Sequence, residues 1–118
     1  MKSSLYGTYR TIEFKPRDII YILEEGYKCD THFLNGRTIP LSWTDMKPLL
    51  SKMPRVYSYD LGCGVFLNPC EISMHEDGLF TDVTFRNGEK LKELSETDFR
   101  RYVMPILKKL EKEEQMMF

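Results

Sequence analysis

Residues 18–36 read DIIYILEEGYKCDTHFLNG, and this stretch decides the fold. Its first part, Ile19–Leu23, is an almost continuous apolar run with β-branched residues, which predicts a strand buried on both faces. After the turn residues Glu24-Glu25-Gly26, apolar and polar residues alternate over Lys28–Leu34, as in a strand with one solvated face. Asn35-Gly36 is the strongest hairpin signal of the chain and favours a type I′ turn. The stretch therefore predicts an antiparallel sheet.

The residues on either side of this stretch extend the same pattern. Tyr9–Phe14 precedes it as a further predicted strand, and Arg37–Leu41 returns from the hairpin. The apolar period then changes to a helical one, with one stripe formed by Met46, Leu49, Leu50 and Met53. Ser42 and Thr44 are the candidate N-caps of this helix, and Thr44 is favoured because Pro48 fits only near a helix start.

The second half of the chain predicts more short strands and a final helix. The expected strands are Arg55–Tyr59, Val65–Leu67, Ile72–Met74, Leu79–Phe85 and Lys90–Leu94. Ser95 with Asp98 three positions later forms a capping box, and Pro105 is expected to kink or divide the helix that follows. The expected fold is mainly β with two or three helices, in one domain over 1–118, with a core from about residue 9 to 110 and a frayed tail at 111–118.

Composition limits the classes of function. Seventeen basic residues face 18 acidic ones, so the chain is nearly neutral, whereas dedicated DNA-binding domains are usually basic. The three cysteines and two histidines show no metal-ligand spacing, and no nucleophile pattern or glycine-rich phosphate loop is present. We therefore expect no metal, no cofactor and no enzymatic activity. No apolar run reaches membrane-spanning length and the first ten residues do not form a signal peptide, which predicts a cytoplasmic protein without membrane contact.

The ordered set of motifs resembles the LytTR domain of bacterial transcription regulators, including response regulators. The resemblance rests on Asp18-Ile19-Ile20-Tyr21-Ile22, on the Asn35-Gly36 hairpin, and on the helix Asp45–Met53 of Leu-x-x-Leu form. It continues with Asn68 followed four residues later by Ile72, and with the hairpin at Asn87-Gly88 that leads to Ser95. It covers about residues 9–110.

The resemblance implies an elongated, ten-stranded antiparallel β fold and sequence-specific DNA binding. The family places loops in successive major grooves, so the implied contact regions are the turn Gly26–Lys28, the segment Arg55–Gly64, and Ser95–Arg101. The implied partner is a direct-repeat promoter site in double-stranded DNA, bound by two copies. The candidate contact residues are Tyr27, Lys28, Arg55, Tyr57, Cys63, Asn68, Ser95, Arg100 and Arg101.

The same regions also support an alternative from another class of function. Where the family commonly carries polar or basic residues, this chain has Glu24-Glu25, Gly62-Cys63-Gly64 and Glu96. Carboxylates beside a phosphate backbone add repulsion, and glycines have no side chain to read a base edge. A protein-interaction module on the same scaffold, without DNA binding, is therefore the alternative.

Overall fold

A computed structural model describes residues 14–116, in which eight antiparallel strands form one sheet. The strands are β1 (Ile19–Glu25), β2 (Lys28–Phe33), β3 (Thr38–Ser42), β4 (Arg55–Ser58), β5 (Cys63–Leu67), β6 (Ile72–Asp77), β7 (Thr81–Phe85) and β8 (Lys90–Leu94). Their order across the sheet is β3-β2-β1-β5-β4-β8-β7-β6. The predicted antiparallel, mainly β class is confirmed, while the predicted strand Tyr9–Phe14 lies, except for Phe14, outside the described residues.

The described residues contain eight of the ten strands that the resemblance implies, and the predicted first strand lies almost wholly outside them. The extents of 40 × 37 × 24 Å make a slab instead of the implied elongated body. The sheet curls. The ring of Tyr21 on β1 stacks on Phe85 of β7 at 5.4 Å, and Asn87 donates a hydrogen bond to the carbonyl of Leu34 in the other hairpin. Residues of β1 and β5 therefore share one apolar cluster with residues of β7 and β8, and a second cluster lies under the first helix.

Helix α1 (Trp43–Leu50) covers the half of the sheet formed by β1, β2 and β3. Its Met46 is fully buried against this half, as the helical stripe predicts. The predicted N-cap Thr44 is wrong: Ser42, the last residue of β3, accepts from the backbone N–H of Asp45. Pro48 is consequently inside the helix, where the carbonyl of the exposed Thr44 can turn to water in place of the missing N–H.

The C-terminal helix covers the opposite face of the sheet. It begins with α2 (Glu96–Asp98), continues through a π-helical stretch (Phe99–Val103), and ends with α3 (Met104–Met116). The π stretch ends two residues before Pro105 and contains Arg101, so the irregularity occurs where proline removes an N–H and crowds the carbonyl four residues earlier. Helix α3 reaches Met116, past Glu111, where the sequence predicted fraying. No helix of the described residues is long and apolar enough to cross a membrane.

The two Asn-Gly hairpins are confirmed, but their turn type differs from the prediction. Gly36 and Gly88 have φ values of 87° and 92°, whereas neither asparagine has positive φ. A type I′ turn needs positive φ at both central residues, so these turns follow the longer pattern that ends in one left-handed glycine. Each asparagine instead uses its side chain: Asn35 Oδ1 accepts from the N–H of Arg37, and Asn87 Oδ1 from that of Glu89.

Candidate nucleic-acid interface at one end of the sheet

Strand pairing brings the three predicted contact regions to the same end of the sheet. Glu25 pairs with Lys28 across the β1–β2 turn, and Ser58 of β4 pairs with both Cys63 and Leu94. Since β1 also pairs with β5, the turn Gly26–Lys28, the segment after β4 and the start of α2 lie side by side. We call this the Tyr27 end. The hairpins at Asn35-Gly36 and Asn87-Gly88 lie at the opposite end.

The β1–β2 turn presents its side chains fully to solvent. Gly26 adopts φ 60°, a left-handed conformation that closes this tight turn. The side chain of Tyr27 is 93% exposed, the most exposed of the large hydrophobic residues in the described range. Lys28 is also exposed, and it forms no ion pair with any residue of 14–116. Tyr27 and Lys28 are therefore free to meet a partner.

Arg55, in contrast, already has an anionic partner. Its Nε donates to Glu24 Oε1 at 2.5 Å, across β5. The pair lies on the face of the sheet opposite the C-terminal helix, which we call the outer face. The pair lies directly over Gly64, where a Cβ atom would collide with both side chains. Gly64 has no side chain that could read a base, and this absence leaves room for the ion pair between Arg55 and Glu24. The Arg55 side chain keeps further N–H donors and is about half exposed, but the Glu24 carboxylate offsets its charge.

Ser95 and Tyr57 are held by the junction between β4 and α2. Ser95 is buried and its Oγ accepts from the N–H of Asp98, so its hydroxyl is used as the N-cap predicted from the capping box. The Asp98 carboxylate in turn accepts from the backbone N–H of Tyr57 at 3.1 Å. The phenol of Tyr57 stays on the outer face, 36% exposed. Tyr57 can contact a partner. Ser95 is buried and its Oγ accepts the cap hydrogen bond, and its contact with DNA stays a prediction.

The two adjacent arginines of the C-terminal helix differ in the same way. Arg100 is ion-paired with Glu96, one helical turn earlier. Arg101 is exposed, and its guanidinium carbon lies 6.0 Å from the centre of the Tyr102 ring, within the range of a weak cation–π contact. Arg101 is the more available cation of the pair.

Asn68 is not part of the Tyr27 end, and its contact with DNA stays a prediction. It follows the last residue of β5, whereas Cys63 is the first, which separates them by about 16 Å at the rise of an extended strand. Its Nδ2 donates to the carbonyl of Ile19 at 2.7 Å and its Oδ1 accepts from the N–H of Cys70 at 3.1 Å. Both bonds fix the turn after β5. They give this asparagine, which is one of the motifs that carry the resemblance, a structural role that needs no ligand.

Cys63 is half-buried at the Tyr27 end, and its environment suppresses the thiolate. Burial raises the pKa of this thiol above its usual value, and the carboxylates of Glu25 and Glu24 add to the increase. Burial likewise raises the pKa of the Cys29 thiol to about 11. Neither thiol is activated as a nucleophile, because reactive cysteines need nearby positive charge.

The charge of the assembled surface is close to balanced. Its three segments, 24–28, 55–64 and 95–101, contain five carboxylates (Glu24, Glu25, Asp60, Glu96, Asp98) and four cations (Lys28, Arg55, Arg100, Arg101). Two of the cations are ion-paired. The surface therefore offers a phosphate backbone two free cations, where binders with strong affinity use many more.

The structure also groups Tyr57 with three apolar residues that the sequence analysis did not name as site residues, the exposed Tyr59 and Leu79 and the half-buried Phe80. On the outer face, the rings of Tyr57 and Tyr59 lie 5.0 Å apart, and Tyr59 and Phe80 lie 5.2 Å apart. Leu79, next to Phe80, is 87% exposed. We call Tyr57, Tyr59, Leu79 and Phe80 the aromatic patch. Tyr57 lies in β4 and Tyr59 just after its end, and the i, i+2 spacing favours one face for both, but only the folding of the sheet brings Phe80 to them.

The two histidines lie apart. His32 stacks on Tyr21 at 4.2 Å and approaches Glu89, and burial lowers its pKa although the nearby carboxylates oppose the shift. His75 contacts Asp77 at 3.0 Å on the edge strand β6. No group of three or more His, Cys, Asp or Glu side chains in the described range is arranged to hold a metal ion.

Comparison of the chain with protein-family models, with curated proteins and with solved structures finds no match. The assignment to the LytTR family consequently stays a prediction from the sequence motifs.

Proposed function

We propose that the Tyr27 end binds double-stranded DNA, as expected for a LytTR-like transcription regulator that recognises direct-repeat promoter sites, with two copies on one site. The observation that supports this proposal is the convergence of three segments, distant in the sequence, at one end of the sheet. These are the segments that the resemblance associates with DNA. Exposed Tyr27, Lys28 and Arg101 supply the side chains that can reach a duplex.

The charge of this end determines the kind of binding to expect. Each phosphate neutralised by a cation contributes about −0.9 to the slope of log K against log salt. With Lys28 and Arg101 free and the arginines of the two ion pairs retained by Glu24 and Glu96, the slope should be about −2. The affinity should therefore be modest, and contacts to bases should supply a large share of it.

Fluorescence anisotropy of labelled duplexes, enriched from a random pool by repeated selection on the immobilised chain, tests the proposal. Lys28→Gln should make the slope less steep by about one. Lys52→Gln is the matched control, because Lys52 is an exposed lysine after α1, away from the Tyr27 end. Failure to enrich any duplex at low salt, or equal effects of the two substitutions, would contradict the proposal.

A second candidate function is that of a protein-interaction module, and the aromatic patch favours it. Contiguous exposed apolar side chains commonly mark contacts with other proteins. The patch can be separated from the DNA surface through Leu79, which lies in the β6–β7 connection outside the three segments implied by the resemblance. If the patch serves a protein partner, Leu79→Ser should leave DNA affinity unchanged. A marked loss of DNA affinity in this variant would count against the second candidate.

A further inference from the structure

The carboxylates around the aromatic patch indicate what kind of partner it fits. The patch and the residues bonded to it lie in the segments 57–61, 79–82 and 93–94, which contain Asp60, Asp82 and Glu93 and no lysine or arginine. All three acidic residues are exposed. The apolar centre therefore has an anionic rim.

The rim is held in place by the backbone. Tyr59 donates its N–H to the carbonyl of Glu93 at 2.9 Å, which joins the end of β4 to β8. The N–H of Glu93 in turn donates to Asp82 Oδ1 at 2.9 Å, which joins β8 to β7. Glu93 has φ 53° in this arrangement and is the one non-glycine residue with positive φ in the described range. A left-handed residue is tolerated here because these hydrogen bonds determine its conformation.

We propose that the aromatic patch docks a protein segment that presents arginine or lysine beside apolar side chains. Leucine-sized apolar groups would cover Leu79 and Phe80, and a cation would lie over a tyrosine ring or between the rim carboxylates. This inference rests on the second candidate function.

Charge also distinguishes this partner from the other occupants of an exposed patch. A nucleic acid would bring phosphates against the three carboxylates of Asp60, Asp82 and Glu93. A second copy that docked the same patch about a two-fold axis would place these carboxylates opposite one another. Both contacts are repulsive, whereas a cationic segment gains attraction from the same groups.

NMR titration of the isotope-labelled full chain tests the inference. The probe is a peptide of about twelve residues that carries arginines beside leucines. One comparison peptide has glutamate for each arginine, and another has serine for each leucine. The expected result is that amide signals from residues 57–61, 79–82 and 93–94 shift with the first peptide, at sub-millimolar concentration, and much less with the other two.

Two substitutions measure how much the apolar and the acidic contacts contribute to peptide affinity. Leu79→Ser should weaken binding of the arginine–leucine peptide about tenfold, since it removes a large apolar contact, and its exposure makes misfolding unexpected. Asp60→Asn should weaken binding up to about fivefold. Met74→Ser is the matched control, because Met74 is 53% exposed on β6 but is not part of the patch.

The outcomes that overturn the inference are distinct. If the glutamate peptide binds the patch as tightly as the arginine–leucine peptide, the proposal of a cationic partner fails, but the protein-interaction function is kept. Equal binding of the serine peptide would overturn the apolar contact. Shifts at residues 79–82 and 93–94 with duplex DNA, or concentration-dependent association of the chain in sedimentation that Leu79→Ser removes, would replace the proposed occupant. If no peptide shifts the patch at about 1 mM, both the inference and the second candidate function fail.

Discussion

Replacing Phe99 by alanine tests how the C-terminal helix is attached to the sheet. The side chain of Phe99 is 1% exposed, although it lies in the irregular π-helical stretch. It belongs to the apolar cluster that includes Val56 of β4 and Leu94 of β8, and its ring lies 5.0 Å from that of His75 on β6. One side chain thus connects the helix to three strands.

The size of the effect follows from this burial. Truncating a fully buried phenylalanine to alanine costs about 3–5 kcal/mol, from lost transfer free energy and the cavity that remains. At about 2.1 cal/mol/K of unfolding entropy per residue, a chain of 118 residues loses roughly 4 °C in Tm for each kcal/mol. Phe99→Ala should therefore lower Tm by about 12–20 °C.

Urea unfolding followed by circular dichroism, together with a thermal scan, measures both quantities. Tyr102→Ala is the matched control, because Tyr102 lies in the same π-helical stretch and is 46% exposed. Any effect of alanine on the helix itself is common to both variants. A loss of less than about 1 kcal/mol at Phe99, or equal losses at the two positions, would refute this attachment of the helix.

Three further predictions concern single groups. Ser95→Ala should cost about 1 kcal/mol in urea unfolding, because the N–H of Asp98 loses its acceptor, and restoration by Ser95→Thr would identify the cap as the cause. Burial lowers the pKa of His32, so the unfolded state takes up a proton at a higher pH than the folded state. The stability that neutral His32 contributes is therefore present above about pH 6.5 and lost as the pH falls through the folded pKa. His32→Gln should make unfolding less dependent on pH between about 7 and 5, and an unchanged pH profile would disprove this. Of the thiols, exposed Cys70 should react first with a thiol reagent at neutral pH and buried Cys29 last, and mass spectrometry of the labelled peptides would reveal any other order.

Most of the strands could be predicted from local patterns, and the reason is physical. The apolar run Ile19–Leu23 lies inside β1, and the alternation from Lys28 matches β2, because side-chain period and burial are local properties of a strand. The two Asn-Gly turns are also local. Their turn type was wrong, since the sequence shows that glycine can adopt positive φ but not that asparagine will.

Helix ends were predicted less well, because alternatives close in energy compete there. Ser42 and Thr44 are both good N-caps. The choice depended on β3, whose last residue is Ser42, and on the N–H of Trp43, which donates to the carbonyl of Tyr27. That bond joins segments far apart in the sequence, so no local pattern contains it.

The candidate site shows the same division. The sequence alone determined which residues carry charge, that the surface is nearly neutral, and which segments resemble a DNA-binding family. Only the tertiary structure decided that Arg55 is paired with Glu24, 31 residues away, and that the Asp98 carboxylate accepts from the N–H of Tyr57, 41 residues away. Only the strand register brings Tyr59 and Phe80 together beside acidic residues. Pairing across the sheet sets which charges are neutralised and which apolar groups are adjacent, and it depends on contacts between strands that the order of residues along the chain does not contain.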